Sequence, residues 1–481
     1  MKNIATPHTP ALKKTKIVAT IGPATEKEPE FTELVKAGLN VMRLNFSHGD
    51  HPEHQARVEV CKKVSEKLGV HMAILQDLSG PKIRIGDFGT ESGRVTLKAG
   101  QKFTITTDKV IGTEEKVSVN YPTLPQELKV GGFVLLDDGK KRLQVTEIKG
   151  NDIHCKVIVG GDTKGRRGVN LPGAYLKISS ITDKDRKDLE FGIKNKVDYI
   201  ALSFVRRPED ITELRGMLDK AKSKAKIIAK IETEEAIDNL EAIVALTDGV
   251  MVARGDLAIE VPAEKVPMIQ KRLIAMCNEQ GKPVITATQM LESMIKSPVP
   301  TRAEVSDIAN AILDGTDAIM LSEETTLGEY PVEAIKVMSR VAAEIEAQYP
   351  IRTVEEVMTD EKNVVDAVSG AVIHIATQLD AKAIIAVTHS GLTARMLSRF
   401  KPAQHIYALT PDPKVATQLV LTAGVTPVLV EKRASAVDTF ESVKKVMIKN
   451  KMITKGDVVV LAAGLPFDKN IDTNALIVET I

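Results

Sequence analysis

The stretch TRAEVSDIANAILDGTDAIML, residues 301–321, contains one complete unit of a repeating fold. Thr301 and Glu304 make a capping box, and Val305, Ile308, Ala309 and Ile312 follow at helical spacing, so a helix is predicted before the strand-like run DAIML. Seven further apolar runs precede it: KIVATIG (16–22), VMRLNFS (41–47), MAILQD (72–77), YIALSFV (199–205), KIIAKIE (226–232), GVMVAR (249–254) and PVITAT (283–288). Most are followed by a helical pattern. Alternating strands and helices argue for parallel strands joined by crossover helices, and eight such units predict a (β/α)8 barrel rather than an open sheet.

About 120 residues separate MAILQD from YIALSFV, far beyond an ordinary βα connection. Strand-like pieces punctuated by Gly and polar turns fill that gap, including RVTLKAG, KFTITT, KVSVN, GFVLLDDGK, LQVTEI and HCKVIVGG. They predict a small β-barrel domain inserted after the third strand, over the face where barrel active sites are built, and so a candidate lid. Beyond residue 350 a new α/β pattern starts. Its first helix has Val364, Val365, Val368, Ala371, Val372, Ile375, Ala376 and Leu379 as its apolar face, and the strands AIIAVT, IYALT, VTPVLV, DVVVLAAG and ALIVET follow. The expected domains are the barrel at 1–79 and 178–350, the insert at 80–177 and the C-terminal domain at 351–481, with IRTVEEVMTDE (351–361) as the boundary.

Composition narrows the partners. The 481 residues carry 65 Lys and Arg against 64 Asp and Glu, a net charge of +1, which gives no field to hold a nucleic acid. Aromatics are 3% with no Trp, so base-stacking platforms are not expected. Cys61, Cys155 and Cys277 are far apart and read as buried free thiols. Neither a signal peptide nor a membrane span is visible, and a cytoplasmic protein is expected.

Charged residues recur at the ends of the apolar strands, where a barrel places reactive groups. Lys230 and Glu232 are two apart on one strand and project from one face; ARGD then delivers Asp256 on a loop beside them. Two carboxylates suit Mg2+ or Mn2+, which need few protein ligands, although a plain Lys230–Glu232 salt bridge is the bland alternative. Arg43, Asn45 and Ser47 alternate at the end of the second run and could cradle a phosphate. His48, taken alone, reads as a surface or capping histidine. Asp77 ends the third run, with Lys82 and Arg84 at the insert's hinge; Thr286 and Thr288 share a face at the seventh, and Ser322 and Glu323 close the eighth.

The motifs MRLNFSHG, GPKIRIG, GVNLPG, KIET, MVARGDLAIEVP, ITATQMLESM, PTRAEVSDIANAILDGTDAIMLS and THSGLTAR together resemble the pyruvate kinase family in order and spacing over nearly the whole chain. The resemblance implies transfer of the phosphoryl group of phosphoenolpyruvate to ADP, giving pyruvate and ATP in glycolysis. By it, Arg43 and Lys230 bind the moving phosphoryl group, Glu232 and Asp256 hold the metal, and Gly255, Asp256 and Thr288 hold the carboxylate and enolate. Asn45, His48, Arg84 and Arg167 match nucleotide positions, and Thr288 and Ser322 stand near the proton path. Many members bind potassium at positions matching Asn45, Ser47, Asp77 and the next residue, with Glu at the place of Lys82. Here that next residue is Leu78, and Lys82 offers its own ammonium in the ion's place. Glu323 replaces a common Gly without an evident physical reason. Thr388, Ser390, Gly391 and Thr393 match a phosphorylated-effector loop, although Ser390 could equally be an ordinary N-cap. A homotetramer is also implied. A metal-dependent aldolase or lyase and a catalytically silent effector-binding protein are the competing readings.

Overall fold

The computed structural model describes residues 13–348, 357, 363–431, 436–449, 452–466 and 471–481; the N-terminal MKNIATPHTPAL and all of the expected boundary 351–361 except Val357 lie outside them. The barrel opens with β1 (Lys16–Thr20), β2 (Val41–Asn45) and β3 (Ala73–Asp77). The chain then leaves for β4 (Arg94–Leu97), β5 (Lys102–Thr106), β6 (Lys116–Ser118), β7 (Phe133–Leu136), β8 (Lys141–Lys149), β9 (Asp152–Val159), β10 (Gly161–Lys164) and β11 (Val169–Asn170). It returns with β12 (Tyr199–Leu202), β13 (Lys226–Ile231), β14 (Gly249–Ala253), β15 (Val284–Ala287) and β16 (Ala318–Leu321). These eight parallel strands close in the order β1-β16-β15-β14-β13-β12-β3-β2, so the (β/α)8 barrel is present. Helices cover the outside and side chains fill the inside, which is why these strands are apolar on both faces.

The helix Arg302–Asp314 carries the expected reciprocal box between Thr301 and Glu304. Its buried face is Ile308, Ala311 and Ile312, and it packs beside the helix Pro331–Ala347; Val305 and Ala309 are only half-buried. The insert is a six-stranded sheet, β11-β7-β8-β9-β5-β6, plus the ribbon β10-β4, around a separate core that includes Phe103, Ile105, Val134 and Leu143.

The C-terminal domain is a five-stranded sheet of β17 (Ala383–Val387), β18 (His405–Thr410), β19 (Val425–Leu429), β20 (Val458–Ala463) and β21 (Ala475–Thr480), with β21 antiparallel at one edge. Its helix Val364–Gln378 buries Val372, Ile373 and Ala376, whereas Val364 and Leu379 are exposed, so the apolar face is narrower than the sequence predicts. The three cysteines are buried free thiols, each pushed up to about 12 by burial. Among the described residues no helix is long and apolar enough to cross a membrane.

The C-terminal domain closes the barrel floor. Val420 and Leu421 pack with Val18, Val41, Leu75 and Ile228, and Tyr199 donates its hydroxyl proton to the Gln418 carbonyl at 2.5 Å. Lys414 meets Asp198 at 2.6 Å and Lys401 meets Asp317 at 2.9 Å. At this seam burial, with Lys16 and Lys14 nearby, lowers the pKa of His405 to about 3. The folded chain therefore resists a proton that the unfolded chain accepts near pH 6.5, so stability is lost as pH falls below that value. The loss amounts to about 2 kcal/mol by pH 5. Denaturation of His405→Gln at pH 7 and pH 5 should show a correspondingly smaller acid penalty than the parent.

Candidate active site

The carboxyl ends of neighbouring strands β2, β3, β12 and β13 bring together a buried array of charge. In the register Asn45 lies opposite Asp77, and Asp77 opposite Ala201. Arg43 donates through Nε and NH2 to Asp77 Oδ2 at 2.8 and 2.7 Å, and through NH1 to Thr20 Oγ1 at 2.6 Å. Lys230 Nζ lies 3.2 Å from Asp77 Oδ1 and 2.9 Å from Glu232 Oε1, and donates to Ser203 Oγ at 2.7 Å. Burial alone would raise the Asp77 pKa, but Lys230 and Arg43 outweigh it and hold the carboxyl low. Burial would likewise discharge Lys230, yet Asp77 and Glu232 keep it charged and raise its pKa. Two cations and two anions are thus fixed where neither water nor a rotamer change can easily relax them.

Glu232 is almost wholly buried and accepts the Phe204 N–H on Oε2 at 2.8 Å. Asp256 is also within its electrostatic reach. Burial and the Glu232 charge push the Asp256 carboxyl up to about 6, against the pull of Lys230 and Lys82. Among the described residues no group of three or more His, Cys, Asp and Glu could hold a metal. The Glu232 and Asp256 carboxylates, near enough for one to raise the pKa of the other, are a donor pair of the kind Mg2+ or Mn2+ accepts, since such an ion can take most of its oxygens from substrate and water.

Asp256 lies in the first turn of the helix Arg254–Glu260 rather than on a loop, because the chain turns helical directly after Ala253. Gly255 N donates to Thr288 Oγ1 at 2.8 Å, and a Cβ on Gly255 would come within 3.4 Å of that oxygen. Thr288 and Gln289 both adopt left-handed φ, 69° and 56°. That conformation is costly for a β-branched residue and is held by Arg254, whose NH2 donates to the Thr288 carbonyl at 2.8 Å. The turn breaks the strand alternation: Thr286 is fully buried and bonded to Thr316, so it does not share the mouth with Thr288. Ser322 N donates to Glu324 Oε2 at 2.8 Å, while Glu324 Oε1 accepts the Leu291 N–H at 3.2 Å, tying the β15 and β16 ends together.

A cleft of about 350 Å³ between barrel and insert is lined by His48, Lys82, Arg84 and Arg167 together with Asp137 and Asp256. Burial and the charges of Lys82, Arg84 and Arg43 lower the His48 pKa, which favours its neutral ring. Lys82 is half-buried, and burial with the charges of Arg84 and Lys230 lowers its pKa, against the pull of Asp256 and Glu232. Arg167 lies 3.3 Å from Asp137, and Arg84 donates to the Arg166 carbonyl at 2.9 Å. Asn45 Oδ1 accepts the Ser47 N–H at 3.1 Å, so it forms the turn after β2, and Ser47 Oγ is 3.3 Å from Ser79 Oγ. Leu78 is buried and its N–H goes to the Ala201 carbonyl.

At the far end of the molecule, Gly391 (φ +84°) rather than Ser390 is the N-cap of the helix Leu392–Ser398. Ser390 Oγ meets the Leu392 N–H only at 3.4 Å, Thr388 Oγ1 accepts the Gly391 N–H at 2.9 Å, and Thr393 pairs with Thr473 at 2.7 Å. Thr20, Ser203 and Glu324 are the polar partners that sequence reasoning passes over. Ser203 carried a usable signal, a hydroxyl near the end of the otherwise apolar YIALSFV.

A barrel whose mouth holds buried, opposed cations and carboxylates beneath an inserted domain defines a class: phosphoryl-transfer enzymes. Residues 12–335 match the family described as pyruvate kinase, barrel domain, and residues 366–479 match pyruvate kinase, alpha/beta domain. Pyruvate kinase 2 of Synechocystis is 48% identical over 95% of this chain and 77% of its own, and a Staphylococcus epidermidis pyruvate kinase is 44% identical over 98% and 81%. The crystal structure of a Cryptosporidium parvum pyruvate kinase superposes with a TM-score of 0.93 at 37% identity, covering 97% of this chain and 96% of the other. The chain belongs to the pyruvate kinase family, and it is a phosphotransferase of glycolysis.

Proposed function

We propose that Arg43 and Lys230 grip the phosphoryl group of phosphoenolpyruvate while the bond from phosphorus to the enol oxygen breaks and a bond to the terminal phosphate oxygen of ADP forms. The reading rests chiefly on the buried Arg43–Asp77–Lys230–Glu232 array, which keeps the Lys230 ammonium charged and holds both cations through short contacts to carboxylates. Such preorganised charge is what phosphoryl transfer asks of a protein. Glu232 and Asp256 would hold a divalent ion, which when bound supplies positive charge to the phosphate and enolate oxygens. The Gly255 and Asp256 backbone and the Thr288 hydroxyl orient the carboxylate of the substrate. The enolate left behind takes a proton on carbon to become pyruvate, delivered along a path beside Thr288 and Ser322. His48, Arg84 and Arg167 face the ADP phosphates across the cleft, with Asn45 shaping the turn beneath them. An aldolase has no use for those lid cations, and a silent binding protein has none for the buried array.

Lys82 takes the place of a potassium ion in this reading, supported by the nearby Asp256 and Glu232 carboxylates, which favour its ammonium against burial, Arg84 and Lys230. A coupled assay for ADP-dependent pyruvate formation in tetramethylammonium buffer tests both statements. Activity within about twofold of that with added potassium is expected, and Lys82→Glu should make the rate depend on potassium. No pyruvate would defeat the catalytic reading; a strong potassium requirement in the parent would defeat the role of Lys82. A cytoplasmic homotetramer, with a phosphorylated effector at Thr388, Ser390, Gly391 and Thr393, completes the proposal. The space beside that loop is about 10 Å³, so an effector would have to open it.

A further inference from the structure

Two buried hydroxyls at the barrel mouth have no part in the function proposed above. Thr20 ends β1 and Ser203 follows β12; both are almost wholly buried, at 3% and 2% exposure. Each faces a cation on the next strand. Thr20 lies directly opposite Arg43 in the register of β1 and β2, and Leu202 lies opposite Ala229 in that of β12 and β13, which puts Ser203 beside Lys230. Around the closed barrel β1, β2, β3, β12 and β13 follow one another. Their ends therefore read hydroxyl, guanidinium, carboxylate, hydroxyl, ammonium, with Asp77 in the middle.

The hydrogen bonds fix which way each hydroxyl points. A hydroxyl has one proton to give and lone pairs with which to accept. Thr20 Oγ1 gives its proton to the Leu321 carbonyl at 3.1 Å and accepts from Arg43 NH1 at 2.6 Å. Ser203 Oγ gives its proton to the Leu78 carbonyl at 2.6 Å, the nearer of two acceptors, with Asp77 Oδ1 at 3.2 Å, and accepts from Lys230 Nζ at 2.7 Å. The same device is built twice: a backbone carbonyl at a strand end turns a neutral oxygen toward a cation. A further carboxylate in either place would hold the cation too, but it would repel a phosphoryl group. A hydroxyl adds no negative charge.

We propose that Thr20 and Ser203 are positioning residues for phosphoryl transfer, each aiming one cation, Arg43 or Lys230, at the moving phosphoryl group. The inference rests on the roles given above to those two cations. The Lys230 ammonium has three protons and three partners, Asp77, Glu232 and Ser203. Glu232 is the partner with a second task in the proposed function. A substrate oxygen would therefore take the proton now directed at Glu232, while Asp77 and Ser203 keep the nitrogen in place.

Thr20→Val and Ser203→Ala each remove the hydroxyl and keep most of the buried shape. Steady-state kinetics should show kcat lowered about tenfold to 10²-fold in each, the loss expected when a catalytic group is misplaced, with KM for ADP within about twofold of the parent. Thr20→Ser, which keeps the hydroxyl, should retain most of the parent's turnover. The sharpest readout is a double-mutant cycle, because a residue that acts only through a cation has nothing left to do once that cation is gone. Ser203→Ala should lower kcat no further in Lys230→Met, nor Thr20→Val in Arg43→Met. The same fold-loss with and without the cation would reveal a purely structural role, and unchanged kcat in Thr20→Val and Ser203→Ala would show that nothing is aimed; either result overturns the proposal. The two sites are independent, so a variant that folds poorly at one leaves the cycle at the other. Near-normal turnover in Lys230→Met and Arg43→Met would instead remove the catalytic reading itself, whereas loss there with both hydroxyl variants unaffected removes this inference alone.

Discussion

Lys230→Met should lower kcat by roughly 10²–10³ or more while leaving the KM for phosphoenolpyruvate comparatively little changed, because the lost contact acts mainly on charge in transit. The ammonium is not a free surface group that water can replace. It is held by Asp77, Glu232 and Ser203 at 3.2, 2.9 and 2.7 Å, in a position where its protonation is assured. Methionine keeps the length and apolar stem of the side chain but removes the charge. Steady-state kinetics with pyruvate detection checks the expectation, and near-normal turnover would remove Lys230 from the mechanism.

Asp77→Asn should be costly in a second way. Asp77 is 1% exposed and is the shared anion between Arg43 and Lys230. Its replacement leaves two buried cations facing each other across a neutral amide, and breaking a buried pair in this manner costs about 3–5 kcal/mol. The barrel's unfolding transition should move to clearly lower denaturant. Activity should fall with it even where the protein remains folded, since Arg43 and Lys230 lose their common anchor. An unshifted transition would show that the two cations find other partners.

The barrel was legible in the sequence because its strands and helices obey two simple periods, and because TRAEVSDIANAILDG announces its own start through Thr301 and Glu304. Lys230 and Glu232 were legible for the same reason, since strand alternation puts both on one side. Alternation ceases to inform where strands end. Thr286 and Thr288 are two apart in sequence but part company once Thr288 turns left-handed, a change decided by Arg254 from a different strand end. Asp256 proved helical for a like reason. The polar partners Thr20 and Glu324 were hidden because their hydrogen bonds cross between strands or strand ends, and local pattern holds no record of such contacts. The floor of the barrel was hidden altogether. Asp198 meets Lys414, and Asp317 meets Lys401, across separations that no window of sequence spans.

The central claim is that Glu232 and Asp256 share one divalent ion beside the Lys230 ammonium. Electron paramagnetic resonance of Mn2+ titrated into the chain in the presence of phosphoenolpyruvate measures this directly. One tightly held ion per chain is predicted, with affinity lowered at least tenfold in both Glu232→Gln and Asp256→Asn. Mn2+ bound as tightly by both variants as by the parent would contradict the claim.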